Sequence, residues 1–290
     1  MTETCFMINH AEIIRSDVKK FLSENNLHAC LAIVSVGHDP ASEVYVRNKI
    51  RACEEVGMEV RHFSFSENTN QADLISFVDQ LGKDNSVNGI IVQLPLPKQF
   101  DESFVLKMIP PIKDVDGFSD ANGFGVYAND ERITPCTPQG VIELMQRGLD
   151  GDETLEGKHV VILGRSLTVG RPLAAMCLNR NMTVSVLHSK SNPDDRKALV
   201  QKADFVVVAM GKPEAFNAEF VGDPSTLRHN ATIIDVGIHR KEDKKLCGDV
   251  KADDFFGHVK YITRVPGGVG PMTVACLIRN TAMATLAQHG

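Results

Sequence analysis

His159–Val160–Val161–Ile162–Leu163–Gly164–Arg165–Ser166–Leu167–Thr168–Val169–Gly170–Arg171–Pro172 is the stretch that decides the fold. Its first five residues read as a buried strand, and a glycine-bearing turn follows at once. Pro172 suits the first turn of a helix, where its missing N–H costs little. Strand, glycine turn and helix is the context of a dinucleotide site. The turn must be tight, backbone must approach a pyrophosphate, and helix N-terminal N–H groups favour an anion. The spacing is G-x-S-x-x-x-G rather than G-x-G-x-x-G, and no G-K-[ST] closes it as a phosphate loop would. Taken alone, the turn fits either a nucleotide site or an ordinary βα connection.

The next strand, Thr183–Leu187, ends in His188–Ser189–Lys190–Ser191. An NAD-binding fold places an acid there to hold the ribose 2′-hydroxyl. Here there is none. A carboxylate would repel a 2′-phosphate, whereas a hydroxyl with the Arg165 guanidinium nearby would accept one. The plainer alternative is a polar loop.

Short apolar runs recur at Cys30–Val36, Asn88–Leu94, Asp204–Ala209 and Ala231–Val236. Between them lie segments with helical spacing: Ser42–Val56, Gln71–Gly82, Pro138–Arg147, Pro172–Asn179 and a last one from Pro271 towards Gln288. Strands alternating with helices predict parallel sheets covered on both faces. Two such blocks are expected, one over residues 28–118 and a second from His159. The segment between them, Ile109–Thr137, is rich in Pro, Gly, Asp and Asn and reads as loops.

In the first block, Asp39 or Ser42 is the expected N-cap of a helix that ends near Gly57. Tyr45 and Lys49 are four apart and share a face of it. That spacing fits a half-exposed surface pair as well as a site. Gln93 ends a strand that Leu94–Pro95–Leu96–Pro97 cannot prolong, and the carboxyl ends of such strands are where open α/β sheets bind ligands. Asp114 and Asp116 read as loop acids, and Asp114 as a solvated one. Three glycines among prolines in Val265–Pro266–Gly267–Gly268–Val269–Gly270–Pro271 permit close backbone approach to a ligand, or form a rigid connector.

The chain has 290 residues, 43% hydrophobic and 23% charged, enough for a sizeable core, with a formal net charge of −6. That balance argues against a nucleic-acid partner held by bulk positive charge. No stretch approaches eighteen uninterrupted apolar residues, and the acidic start lacks the pattern of a signal peptide, so no membrane span is expected. Seven dispersed cysteines without C-x-x-C fit a reducing cytosol better than a disulfide framework. The ten histidines form no H-E-x-x-H or other ligand spacing, so no metal is expected.

At Y-x-x-x-K, V-Q-L-P-L-P, K-D-V-D-G-F, P-C-T-P, G-R-S-x-x-V-G-x-P and P-G-G-V-G-P-M-T, the chain resembles the bifunctional methylenetetrahydrofolate dehydrogenase/methenyltetrahydrofolate cyclohydrolase family. The six motifs occur in the family's order over nearly the whole chain. The resemblance implies an α/β protein of two domains with a cleft between them. The catalytic folate-binding domain would cover residues 1–137, completed by helix 271–290, and a Rossmann-like NADP-binding domain residues 138–270. It further implies a cytoplasmic homodimer serving purine biosynthesis, with tetrahydrofolate derivatives as substrates and NADP as cofactor.

Carried over by position, Lys49 is the cyclohydrolase residue, Gln93 hydrogen-bonds to it, Tyr45 packs on the folate and Asp116 holds the pterin's amino edge. Leu94, Pro266, Gly267 and Gly268 join them around the substrate. Gly164, Arg165, Ser166, Gly170, Ser189 and Ile238 contact NADP, with Arg165 and Ser189 near the 2′-phosphate. Arg264, Thr168 and Met210 stand where the family commonly has Pro, Ile and Thr, and the first bears on the shape of the glycine loop.

The implied chemistry suits the residues. Nitrogen lone pairs of methylenetetrahydrofolate push hydride directly to NADP, so that step needs positioning but no base. Hydrolysis of the resulting methenyl cation needs proton handling. Lys49 is the candidate, since burial and a nearby cation both disfavour an ammonium. A shikimate-dehydrogenase-like NADP oxidoreductase would instead need a Lys–Asp pair acting on a hydroxyl, with no reason for Q-L-P-L-P or P-G-G-V-G-P. A non-catalytic nucleotide-binding module would be expected to lack Lys49 or Asp116.

Overall fold

A computed structural model describes residues 5–7 and 9–289. In chain order the first elements are β1 (Cys5–Met7), α1 (Ala11–Glu24), β2 (Cys30–Val36), α2 (Pro40–Glu55), β3 (Glu59–Phe65), α3 (Gln71–Lys83) and β4 (Gly89–Val92). Next come α4 (Glu102–Lys107), α5 (Asp120–Tyr127), α6 (Cys136–Arg147), β5 (His159–Leu163), α7 (Gly170–Leu178), β6 (Thr183–Leu187) and α8 (Pro193–Lys202). The chain continues through β7 (Phe205–Val208), α9 (Ala218–Val221), β8 (Thr232–Asp235), β9 (His239–Arg240), β10 (Leu246–Cys247), β11 (Tyr261–Thr263) and α10 (Val269–His289).

The chain forms two compact units. One comprises residues 11–136 and 274–290, the other residues 1–10 and 137–273. The first is built on a three-stranded parallel sheet, β3-β2-β4. β2 and β4 are buried almost throughout because both faces are covered, which is why they read as unbroken apolar runs. β3 is the edge strand and alternates partly buried with exposed residues. Leu74, Val78 and Leu81 on one face of α3 join Ala32, Val34, Ile90 and Val92 in its core. Residues 274–289 of α10 belong to this unit. There Asn280 Nδ2 donates to the carbonyls of Val115 and Thr134, each at 2.9 Å, and Gln288 Nε2 donates to that of Asn88 at 2.8 Å.

The second unit holds a six-stranded parallel sheet in the order β1-β11-β8-β7-β5-β6. The chain leaves β5 for β6 on one side and returns to β7 on the other. That reversal is the Rossmann switch point, and the crevice outside the strands' carboxyl ends there is the fold's ligand site. Phe216 and Phe255, rings 5.0 Å apart and stacked, anchor its core beside Val206, Val208 and Ile233.

Three expectations change. The resemblance places residues 5–7 in the N-terminal domain, but β1 pairs with β11 in the six-stranded sheet. The segment 109–137, expected as loops, contains α5 and the start of α6, with Ser119 Oγ capping α5 at Asn122 N. Asp114 is 1% exposed rather than solvated. It accepts from Gly117 N, Ser119 N and Asn122 Nδ2, at 3.1, 2.6 and 3.0 Å, and so organises its own turn.

Candidate active site

Asp39 caps α2, its carboxylate accepting from Ser42 N at 2.8 Å, an interaction of about 1 kcal/mol. The helix therefore starts just after β2 ends, and its face carrying Tyr45 and Lys49 lies by the carboxyl end of that sheet. Gln93 follows β4 and is pinned to β2, with its N–H on the Val34 carbonyl at 2.8 Å. Lys49 Nζ donates to Gln93 Oε1 at 3.1 Å, and Gln93 Nε2 donates to the Leu94 carbonyl at 2.7 Å. The second bond fixes the amide, so its oxygen faces the lysine. Leu94 itself packs against the apolar core.

Asp116 reaches the same place by a different route. A parallel bridge between Ile90 and Asp114 runs the segment 113–116 alongside β4, carrying Asp116 towards the strand's carboxyl end. Cys136, 2% exposed, sits among these groups and donates its thiol proton to the Val115 carbonyl at 3.2 Å. Burial, with the Asp116 carboxylate beside it, pushes that thiol well above its ordinary range, so it remains protonated. Burial also raises the Tyr45 phenol, keeping it neutral. Lys49, Gln93, Tyr45 and Asp116 are all half-buried; Lys49 is bonded to Gln93, and both Lys49 and Asp116 lie close enough to Cys136 to act on its thiol. Reading the sequence missed Cys136 and Asn280. The P-C-T-P motif marked the first, but nothing in the helical pattern of α10 marked the second.

At the switch point, Gly164 N donates to the Leu187 carbonyl at 2.9 Å, joining the ends of β5 and β6. Leu163 and Leu187 are in register, so Arg165 and Ser189 each stand two residues beyond paired positions, both exposed. Gly164 has φ +136°, and a Cβ on it would overlap the Ala209 carbonyl oxygen beyond β7. A Cβ on Gly170 would overlap the Gly164 carbonyl. Ser166 Oγ accepts from Val169 N and Gly170 N, at 3.1 and 3.3 Å, which folds the turn onto the start of α7. Backbone this tight beside a nine-residue helix suits a pyrophosphate, so the residues present fit NADP. Ile238, 43% exposed, follows β8 on the same edge of the sheet.

Pro266, Gly267 and Gly268 follow β11 in this second unit. The Gly267 carbonyl accepts from Asn9 Nδ2 at 2.6 Å. Arg264 does not disturb this loop from within: its guanidinium lies 4.6 Å over the Phe6 ring. Among the described residues no group of three or more His, Cys, Asp or Glu side chains is placed to hold a metal ion.

Residues 8–116 match the tetrahydrofolate dehydrogenase/cyclohydrolase catalytic domain, and residues 135–289 match the NAD(P)-binding domain of the same family. The bifunctional protein FolD of Caldicellulosiruptor saccharolyticus is 44% identical over 284 residues, 96% of this chain and 97% of that one. The crystal structure of the Campylobacter jejuni bifunctional FolD methylenetetrahydrofolate dehydrogenase/cyclohydrolase superposes with a TM-score of 0.87 at 38% identity, covering 96% of both chains. The Trypanosoma brucei methylenetetrahydrofolate dehydrogenase-cyclohydrolase, solved with NADP and an inhibitor, gives a TM-score of 0.89 at 30% identity over 99% of both.

Proposed function

Since this chain belongs to the tetrahydrofolate dehydrogenase/cyclohydrolase family, we propose that its two reactions divide between the two groups of residues described above. The enzyme oxidises 5,10-methylenetetrahydrofolate to 5,10-methenyltetrahydrofolate with NADP and hydrolyses the product to 10-formyltetrahydrofolate. NADP supplies the hydride acceptor when bound. Gly164, Ser166 and Gly170 offer backbone and hydroxyl to its phosphates, Arg165 and Ser189 receive the 2′-phosphate, and Ile238 gives an apolar contact. No residue need take a proton in that step, because the hydride leaves from a carbon already activated by its nitrogens.

Hydrolysis is the work of Lys49. Water adds to the methenyl carbon and must lose a proton, and one carbon–nitrogen bond of the five-membered ring must then break with a proton delivered to that nitrogen. A single amine can do both in turn. Gln93 holds Nζ in place, Asp116 accepts from the pterin's amino edge, and Tyr45 and Leu94 pack on its apolar surface. Pro266, Gly267 and Gly268 are assigned to the substrate by family position. The observation that carries this reading is the Lys49–Gln93 hydrogen bond at the carboxyl end of β4, with Asp116 brought to the same edge.

A cytoplasmic homodimer feeding purine biosynthesis belongs to the same proposal. What supports it is family membership, together with the absence, among the described residues, of any helix long and apolar enough to cross a membrane. The test is direct. Enzyme, NADP and methylenetetrahydrofolate are mixed while absorbance of NADPH and of the methenyl product is followed. Formation of NADPH, with the methenyl signal decaying to the formyl product, is the expected result. NADPH formation from shikimate instead would defeat the reading.

A further inference from the structure

Two buried aspartates behind the NADP-binding edge are used by neither reaction. Asp249 is 0% and Asp235 3% exposed. Asp249 Oδ2 accepts from Met210 N and Gly211 N at 2.6 and 2.9 Å, and Oδ1 accepts from Lys212 N at 2.8 Å. Three successive backbone N–H groups converging on one carboxylate form an anion nest, filled here from inside the protein. His239 Nε2 completes the set, 2.7 Å from Oδ1. Asp235, at the end of β8, accepts from Gly237 N at 3.0 Å, Asp249 N at 2.9 Å and Val250 N at 3.0 Å. The packing is tight enough that a side chain on Gly237 or Gly248 would overlap these carboxyl groups.

The two loops held in this way follow β7 and β8, neighbours in the sheet. The first begins at Ala209, whose carbonyl abuts Gly164. The second carries Ile238, an exposed apolar residue whose two chain neighbours are each tied down, Gly237 by Asp235 and His239 by Asp249. The β9–β10 hairpin, pairing His239 with Cys247, folds the chain back so that Asp249 reaches this position. A buried carboxylate is expensive to desolvate and is repaid only by complete hydrogen bonding. That cost, located where one loop abuts Gly164 of the glycine turn and the other carries Ile238, is explained if their fixed shape has a use.

We propose that Asp249, supported by Asp235 and oriented by His239, is a positioning residue of the dehydrogenase: it presets the loops after β7 and β8 that receive NADP, without touching the cofactor. The inference rests on the assignment of this edge to NADP. A preset loop saves the ordering cost otherwise taken from binding.

The test uses the full-length enzyme and compares His239→Ala, His239→Gln and Asp249→Asn. Each variant is measured for KM of NADP, KM of methylenetetrahydrofolate, cyclohydrolase rate from methenyltetrahydrofolate without NADP, and melting temperature. His239→Ala should raise KM for NADP roughly fivefold or more, a typical coupling between non-contacting groups, with the other KM and the cyclohydrolase rate within about twofold. His239→Gln keeps an N–H donor at similar reach and should restore much of the loss. Asp249→Asn should do more than His239→Ala. If it does not fold, the partly exposed His239 carries the test by itself.

An unchanged KM for NADP in a folded His239→Ala protein, or equal loss of both activities, overturns the proposal. Arg165→Ala serves as the control. If it weakens NADP while His239→Ala does not, only the positioning role fails. If neither affects NADP, the assignment of this edge to the cofactor fails first.

Discussion

Lys49 Nζ lies 3.1 Å from Gln93 Oε1, and the far end of the same amide is spent on the Leu94 carbonyl at 2.7 Å. The amide cannot turn over to present its NH2 to the lysine without giving up the second bond. Gln93 is thus an acceptor for Lys49 and a fixed one, which holds Nζ at one point of the site and leaves the rest of its surface to the substrate.

Lys49→Met should therefore nearly abolish cyclohydrolase activity, because Asp116 is committed to the pterin's amino edge and neither of the other ionisable neighbours offers a replacement base. The Cys136 thiol is held protonated and Tyr45 neutral. Oxidation should continue at a reduced rate, since hydride transfer needs only alignment. Methenyltetrahydrofolate then accumulates, and its absorbance reports the separation. Equal collapse of both rates in a folded, NADP-binding variant would mean that Lys49 holds substrate and moves no proton.

Gly164→Ala tests the turn. The new methyl would meet the Ala209 carbonyl oxygen at a backbone φ of +136° that alanine rarely adopts. The strand ends must part to admit it. We expect a loss of about 2 kcal/mol or more in stability, and a Kd for NADP raised at least about tenfold, a change equivalent to 1.4 kcal/mol. Calorimetric melting and NADP titration measure the two effects.

Arg165→Ala should weaken NADP by at least about tenfold and leave NAD almost untouched. The guanidinium is exposed at the end of β5, and no acid stands at the end of β6 to select the 2′-hydroxyl. Kinetic constants for both cofactors, on wild type and variant, decide it. Equal affinity of the wild-type enzyme for NAD and NADP would remove the basis of the assignment.

Asp235 gives stability an unusual pH dependence. Burial pushes its carboxyl up to about 7, against backbone N–H groups that pull the other way. The folded protein then keeps a proton that the unfolded chain releases near 4. Where the folded state binds more protons, stability falls as pH rises. The contribution is full below the unfolded pKa and is gone once pH passes the folded one. Between pH 5 and pH 7 the wild type should lose on the order of 2 kcal/mol relative to Asp235→Asn, which cannot titrate. Urea unfolding of both proteins at several pH values would reveal a parallel, unshifted pair of curves if the carboxyl were ordinary.

Neither reaction, as derived, calls for a Lewis acid. Exhaustive chelation should leave both rates intact. Loss of activity restored by one particular divalent ion would show that a metal takes part.

The buried parallel strands could be read from the sequence because strands covered on both faces must be apolar at every position; β2 and β5 fall at their expected bounds, and β4, β7 and β8 within theirs, while β6, an edge strand, was legible from its β-branched Thr183, Val184 and Val186. The same rule hid β3. As an edge strand it mixes Glu59, Arg61 and His62 with Val60, Phe63 and Phe65, and a search for unbroken apolar runs passes over it. α1 carried a usable signal in Ile14, Val18 and Leu22, spaced along one buried face. Lys49, Gln93 and Asp116 come from three separate segments, and what united them beforehand was resemblance, not spacing. Asp249 was illegible for a different reason. Its role depends on three backbone N–H groups, and backbone donors leave no mark in a sequence.

The pairing of Cys5–Met7 with Tyr261–Thr263 makes the order of synthesis matter. The strand at Cys5–Met7 finds its neighbour only after about 250 further residues have been made. Residues 11–136, in turn, await the final helical stretch from 274 onwards. Each unit is assembled from two separated stretches of chain, so no single cut yields a whole one. A fragment such as 138–270 would lack β1, leaving β11 as a bare edge open to pairing with another chain. An engineer who wants the NADP-binding half alone must therefore graft the first strand onto it, for instance by permuting the termini, instead of simply trimming the gene.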